Sequence, residues 1–116
     1  MNLIRIDPSS AIGALEMPRI IVEGTPRTGA ANAYSDPSGQ FHCGIWQSSP
    51  GKWKITYIEH EFCVILSGRA VLTNEAGARI EVAAGDAFVI PAGFKGTWET
   101  LSDIRKYYAI FEQSGT

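Results

Sequence analysis

Cysteine is scarce: Cys43 and Cys63 are the two in 116 residues, too few for a disulfide framework. Basic charge is not in excess either. Ten Lys and Arg stand against 12 Asp and Glu, a formal net charge of -2. That balance excludes the basic face of an electrostatic nucleic-acid binder. No apolar run approaches the ~20 residues that a membrane-spanning helix needs. The opening Met1–Asp7 lacks the charged-then-apolar layout of a secretory leader. Fixed-period repeats and low-complexity tracts are missing too. A reduced, cytoplasmic protein without nucleic-acid or membrane partners is expected.

What is present is enough apolar material to fold. Hydrophobic residues make up 45% of the chain and charged residues 19%, outside the composition of disordered segments. A chain of this length fits one domain, which buries about two-thirds of its unfolded surface. Residues 1–41 read as an irregular segment belonging to the same domain. In it, Asp7-Pro8-Ser9-Ser10 offers a cap for one helical turn over Ala11–Leu15. Arg19–Glu23 reads as a short strand, and Gly29–Gln40 as loop with at most an edge strand.

From residue 42 to 116 the texture changes. Runs rich in β-branched and aromatic residues recur at Cys43–Gln47, Trp53–Glu59, Phe62–Leu66 and Ala70–Thr73. They continue at Arg79–Ala83, Ala87–Ile90, Gly96–Thr100 and Arg105–Glu112. Turn signals close them, among them Ser67-Gly68, Gly85-Asp86 and Leu101-Ser102-Asp103. Short strands at roughly 8–12-residue spacing predict an all-β sandwich or barrel.

Two segments, Gly51–Gly68 and Gly85–Thr100, carry a resemblance to the cupin superfamily. Gly85, Pro91 and Gly93 match the frame of the second cupin motif, and Glu61 with Gly68 matches the end of the first. The phrasing is most similar to the EutQ-like and ureidoglycine-aminohydrolase-like cupins. Gly44-Ile45-Trp46, Ser49–Lys52, Ile90–Phe94, Gly96-Thr97-Trp98 and Arg105–Tyr108 carry that likeness. It implies a double-stranded β-helix, the RmlC-like jelly-roll barrel, over residues 42–116. It does not imply one reaction, because cupins host many.

Most catalytic cupins hold a divalent metal with three histidines and one glutamate. Here the histidine positions of the first motif fall on Ile55 and Tyr57, Lys54 and Thr56, or Tyr57 and Glu59, according to the count. The histidine position of the second motif falls on Gly96. The chain has two histidines, His42 and His60, so one subunit cannot supply three. No metal or other cofactor is expected. If Glu61 points inward, strand alternation sends His60 out to the rim.

Alternation from Glu61 puts Tyr57, Glu59, Cys63 and Ile65 on the same face, with Gly96, Trp98 and Thr100 on the facing strand. The expected cavity holds an acid among aromatics, with room left at Gly96. A carboxylate there needs a raised pKa, or hydrogen bonds from the Tyr57 hydroxyl or the Trp98 indole. Glu61 and Tyr57 are the candidate catalytic residues, and Trp98, Glu59 and Cys63 the candidate ligand contacts. Glu61 then acts as acid or base on a small polar molecule, recognises it without turnover, or merely satisfies buried donors. A homodimer is expected, with the apolar Ile20-Ile21-Val22 in its interface.

Overall fold

The computed structural model describes residues 2–114 and is all-β. Its strands are β1 (Ile21–Glu23), β2 (Thr28–Ser35), β3 (Phe41–Ser48), β4 (Gly51–Thr56), β5 (His60–Asn74), β6 (Arg79–Ala83), β7 (Ala87–Ile90) and β8 (Lys95–Phe111). Every pairing is antiparallel. The order β1-β4-β8-β3-β2 forms one path, and β5 pairs with β6, β7 and β8. Two long strands therefore organise the barrel.

Both were expected to be interrupted. Ser67-Gly68 and Leu101–Asp103 read as turns, yet β5 runs 15 residues and β8 runs 17. The turn-forming residues instead mark facing bends. The β5–β8 register shifts between Ile65 and Ala70, and Gly68 adopts φ 85°. A Cβ on Gly68 would collide with the Asp103 carbonyl, so a glycine is needed where the bent strands touch. A glycine inside a strand reads equally as a bulge, and that reading is the one realised.

The N-terminal segment corrects one further expectation. No helical turn forms over Ala11–Leu15. Asp7 caps a tight turn, its carboxylate accepting from the Ser9 N–H at 2.8 Å. The carbonyls of Pro8 and Ser10, which a helix would use internally, accept from Arg105 at 3.0 and 2.9 Å. A charged donor on β8 thus outcompetes the local helix. The stretch read as loop with at most an edge strand contains β2, which lies at the end of the strand path and pairs with β3 from Thr28↔Ser48 to Ser35↔His42.

Alternation along β8 turns Trp98, Thr100, Ile104, Lys106 and Tyr108 inward, all buried. Along β5 the inward set begins with Glu61, Cys63 and Ile65. Trp53, Leu72, Val82 and Ile90 complete the apolar core with Trp98 and Ile104. One side of this interior is apolar core. The other opens into a cavity.

Candidate functional site

The cavity has a volume of about 460 Å³. Trp46, Trp53, Tyr57 and Trp98 wall it, Glu61 and Lys106 form its floor, and Glu59 and His42 line it nearer solvent. Each wall residue is aimed by its backbone. Trp53 pairs across the ladder with Trp98, and Trp46 faces Trp98 edge-on at 5.3 Å between ring centroids. Tyr57 is pinned to the turn before β8: its N–H donates to the Phe94 carbonyl at 2.9 Å, and its carbonyl accepts from Gly93 at 2.7 Å.

Lys106 is the residue the sequence reading missed. Its ammonium donates to Glu61 Oε2 at 2.9 Å and to Cys63 Sγ at 3.3 Å. It also lies 4.7 Å from the Trp46 ring centroid and 4.6 Å from that of Trp98, within cation–π range. The two side chains of the pair are 3% and 6% exposed. One signal was legible: Ile104, Lys106, Tyr108 and Ile110 alternate along a strand whose inward face is otherwise apolar or aromatic. A lone charge on such a face demands a buried partner.

Burial by itself would raise the Glu61 carboxyl. The Lys106 charge, with hydrogen bonding from Tyr57, Lys106 and Cys63, outweighs it and holds the group below its ordinary range. Burial likewise pulls Lys106 down, and the neighbouring Glu61 more than reverses this, so the ammonium stays charged. Of the two options expected for Glu61, a raised pKa is therefore overturned, and the donor at hydrogen-bond distance from its carboxylate is Lys106. The Trp98 indole is not a partner. It donates to Thr100 Oγ1 at 2.8 Å, and Thr100 donates onward to Ser48 at 3.0 Å.

The remaining candidates fall in different places. Burial, then the charge of Glu61, pushes the Tyr57 phenol well above its ordinary value. Glu59 lines the cavity, and burial followed by the Glu112 and Glu61 charges raises its carboxyl. Cys63 is fully buried behind Lys106, outside the cavity wall, and burial pushes its thiol up to about 12. A thiol protonated at neutral pH is no nucleophile. Gly96 leaves no room for a ligand, because a Cβ there would strike the Thr73 carbonyl. It serves the close approach of β5 and β8. His60 sits at the rim, its Nδ1 accepting from the Ala92 N–H at 3.1 Å and its ring stacked on Phe111. His42 is engaged at both nitrogens, with Ser35 at 2.7 Å and the Gly39 carbonyl at 3.0 Å.

The residues present do not fit a divalent metal of the kind that cupins commonly hold. An ion at Glu61 would have to displace the ammonium already bonded to that carboxylate, and would then face two indole rings. Among the described residues, no three His, Cys, Asp or Glu side chains converge.

The charged pair sets a pH dependence. Glu61 titrates lower in the folded chain than its ordinary 4.5, so its contribution is present above that value and lost as pH falls through the folded one. Lys106 titrates above its ordinary 10.5, so its contribution is present below that value and lost as pH rises through the folded one. The pair's stabilisation should hold from about pH 5 to 10 and fail first in acid. Urea melts at pH 7 and pH 3 check this. The acid loss should shrink in Lys106→Met/Glu61→Leu, which has no such pair to protonate.

Comparisons with known proteins agree with this architecture. The model of the EutQ-like cupin domain matches residues 35–108. A protein of unknown function of the DUF861 family from Pseudomonas syringae pv. tomato superposes with a TM-score of 0.80 at 25% identity. The alignment covers 90% of this chain and 46% of that one, so this chain spans less than half of that protein's length. The EutQ protein of Clostridium difficile superposes with a TM-score of 0.68 at 16% identity, over 77% of this chain and 65% of that one. A DUF861 family protein of Thermotoga maritima is 31% identical over 55% of this chain and 73% of that one, with a TM-score of 0.54. No curated protein matches the sequence. The Glu61–Gly68 and Gly85–Gly93 frames, the antiparallel jelly roll and the matched span of 35–108 lead to one conclusion: this chain belongs to the EutQ-like cupin domain family.

Proposed function

We propose that this domain captures a small molecule in its barrel, with a flat or apolar body lying on the indoles and a carbonyl, ureido or sugar-type end directed at the floor. One observation carries the reading: an open cavity of about 460 Å³ combines aromatic walls with a buried charged pair. Ligand sites are concave, mostly apolar and furnished with a few fixed polar groups. Swapping a buried ion pair for apolar residues is often neutral or stabilising. Stability is therefore a weak reason for such a pair, and orienting a ligand's polar end a better one.

A catalytic version of this reading moves the acid–base role away from Glu61. A carboxylate locked to an ammonium is a poor proton donor. Glu59, the cavity acid whose carboxyl is raised, suits proton transfer better. The wider proposal is a cytoplasmic homodimer: Ile20 and Val22 are 57% and 45% exposed, apolar surface that a second copy would cover.

Small neutral probes such as benzamide test the capture reading, followed through the indole N–H signals of Trp46, Trp53 and Trp98 in nitrogen-15 spectra. Saturable shifts at Trp46 and Trp98 are expected, with affinity falling at least about tenfold in Trp46→Ala. Shifts confined to the outer surface would contradict the reading. Turnover lost in Glu59→Gln with binding retained would favour the enzyme; binding without turnover in the parent favours capture.

A further inference from the structure

We infer that the floor of the barrel is a cation site whose cation is supplied by the chain itself, the Lys106 ammonium. The inference stands independently of ligand capture, because it concerns what Glu61 is built to hold. Glu61 aligns with the glutamate of the first cupin motif, the one metal-ligand position kept in this sequence. Its Oε2 is bonded to Nζ at 2.9 Å, and the faces of Trp46 and Trp98 approach the same nitrogen at 4.7 and 4.6 Å. Cys63 Sγ accepts a further N–H at 3.3 Å.

These neighbours suit an ammonium and not a divalent ion. Two π-faces and one carboxylate stabilise a diffuse single charge. A transition metal instead needs several lone-pair donors at close, directed positions, and an indole ring offers none. A tethered ammonium also differs in behaviour. It cannot be chelated away, it has no redox chemistry, and it holds its charge across the neutral range.

If the site recognises the cation and not merely the lysine stem, cutting the stem should leave a hole specific for a free alkylammonium. Lys106→Ala removes three methylenes and the ammonium, the size of n-propylammonium. That probe should raise the melting temperature of Lys106→Ala by an amount that grows with the logarithm of its concentration, about 4 °C or more at roughly ten times its dissociation constant. It should leave the parent protein unchanged. 1-Propanol, the same size and uncharged, should not rescue, and rescue should vanish in Lys106→Ala/Glu61→Gln. If Lys106→Ala is unfolded alone, the same titration reads the recovery of folded signal. Manganese(II) added to the parent should not selectively broaden the Glu61, Trp46 and Trp98 resonances. Equal rescue by 1-propanol, no rescue by propylammonium, or Glu61-dependent manganese binding to the parent would each overturn the inference.

Discussion

Lys106→Met should cost about 3–5 kcal/mol of folding stability, the range for removing one partner of a buried ion pair. Methionine nearly matches the lysine stem, so little of the loss comes from a void. The loss comes from Glu61, left buried without its ammonium. At pH 7 the orphaned carboxylate must stay charged in an apolar setting or take up a proton, and either is costly. At roughly 3–5 °C per kcal/mol for a chain of this length, the melting temperature should fall by about 10–25 °C. Pairing the change with Glu61→Leu should restore most of it, because two apolar residues replace two charges. A double variant as unstable as the single one would mean that the site depends on something other than charge balance. Equilibrium urea unfolding of the parent and the three variants completes the cycle.

Trp98→Ala is the second large expected effect, about 3–5 kcal/mol by the usual cost of deleting a buried aromatic. Trp98 is 2% exposed and touches the rings of Trp46, Trp53 and Phe88. Its indole also starts the hydrogen-bonded chain to Thr100 and Ser48. The substitution therefore opens a hole, takes the indole donor from the buried Thr100 hydroxyl and strips one π-face from Lys106. Trp98→Phe separates these effects: it refills most of the volume and keeps a π-face, yet still loses the indole donor. A loss of about 1–2 kcal/mol is expected there. Trp46, only half-buried on the open side of the cavity, should cost less stability and more ligand affinity.

The all-β class and most strand positions were legible because β-branched and aromatic runs alternate with Gly, Pro and Asp. The errors share one cause. Ser67-Gly68 and Leu101–Asp103 carry turn chemistry, but in a jelly roll the same chemistry bends a continuous strand where it crosses its partner. Nothing local distinguishes the two outcomes. Likewise Asp7-Pro8-Ser9-Ser10 is a sound local helix start, and it lost to Arg105, 95 residues or more away in sequence. Tertiary hydrogen bonds override a single turn's propensity.

The site divides along the same line. Glu61, Tyr57, Glu59 and Trp98 could be placed on the cavity face by counting in twos from a motif position. Counting in twos from Trp98 through Thr100 and Ile104 reaches Lys106 as well, but reading Leu101–Asp103 as a turn ends the count before it. Its register against β5 depends on the bulge at Gly68. Shifting that register by one residue would turn Lys106 to solvent and Arg105 or Tyr107 inward.

The charge state of Glu61 is the point on which the site turns, and a carbon-13 titration of its side-chain carboxyl reads it directly. With Lys106 bonded to it, the midpoint should lie below the ordinary glutamate value of 4.5, and in Lys106→Met it should move above that value. A midpoint in the parent above 4.5, unmoved by Lys106→Met, would contradict the charged pair at the floor of the barrel.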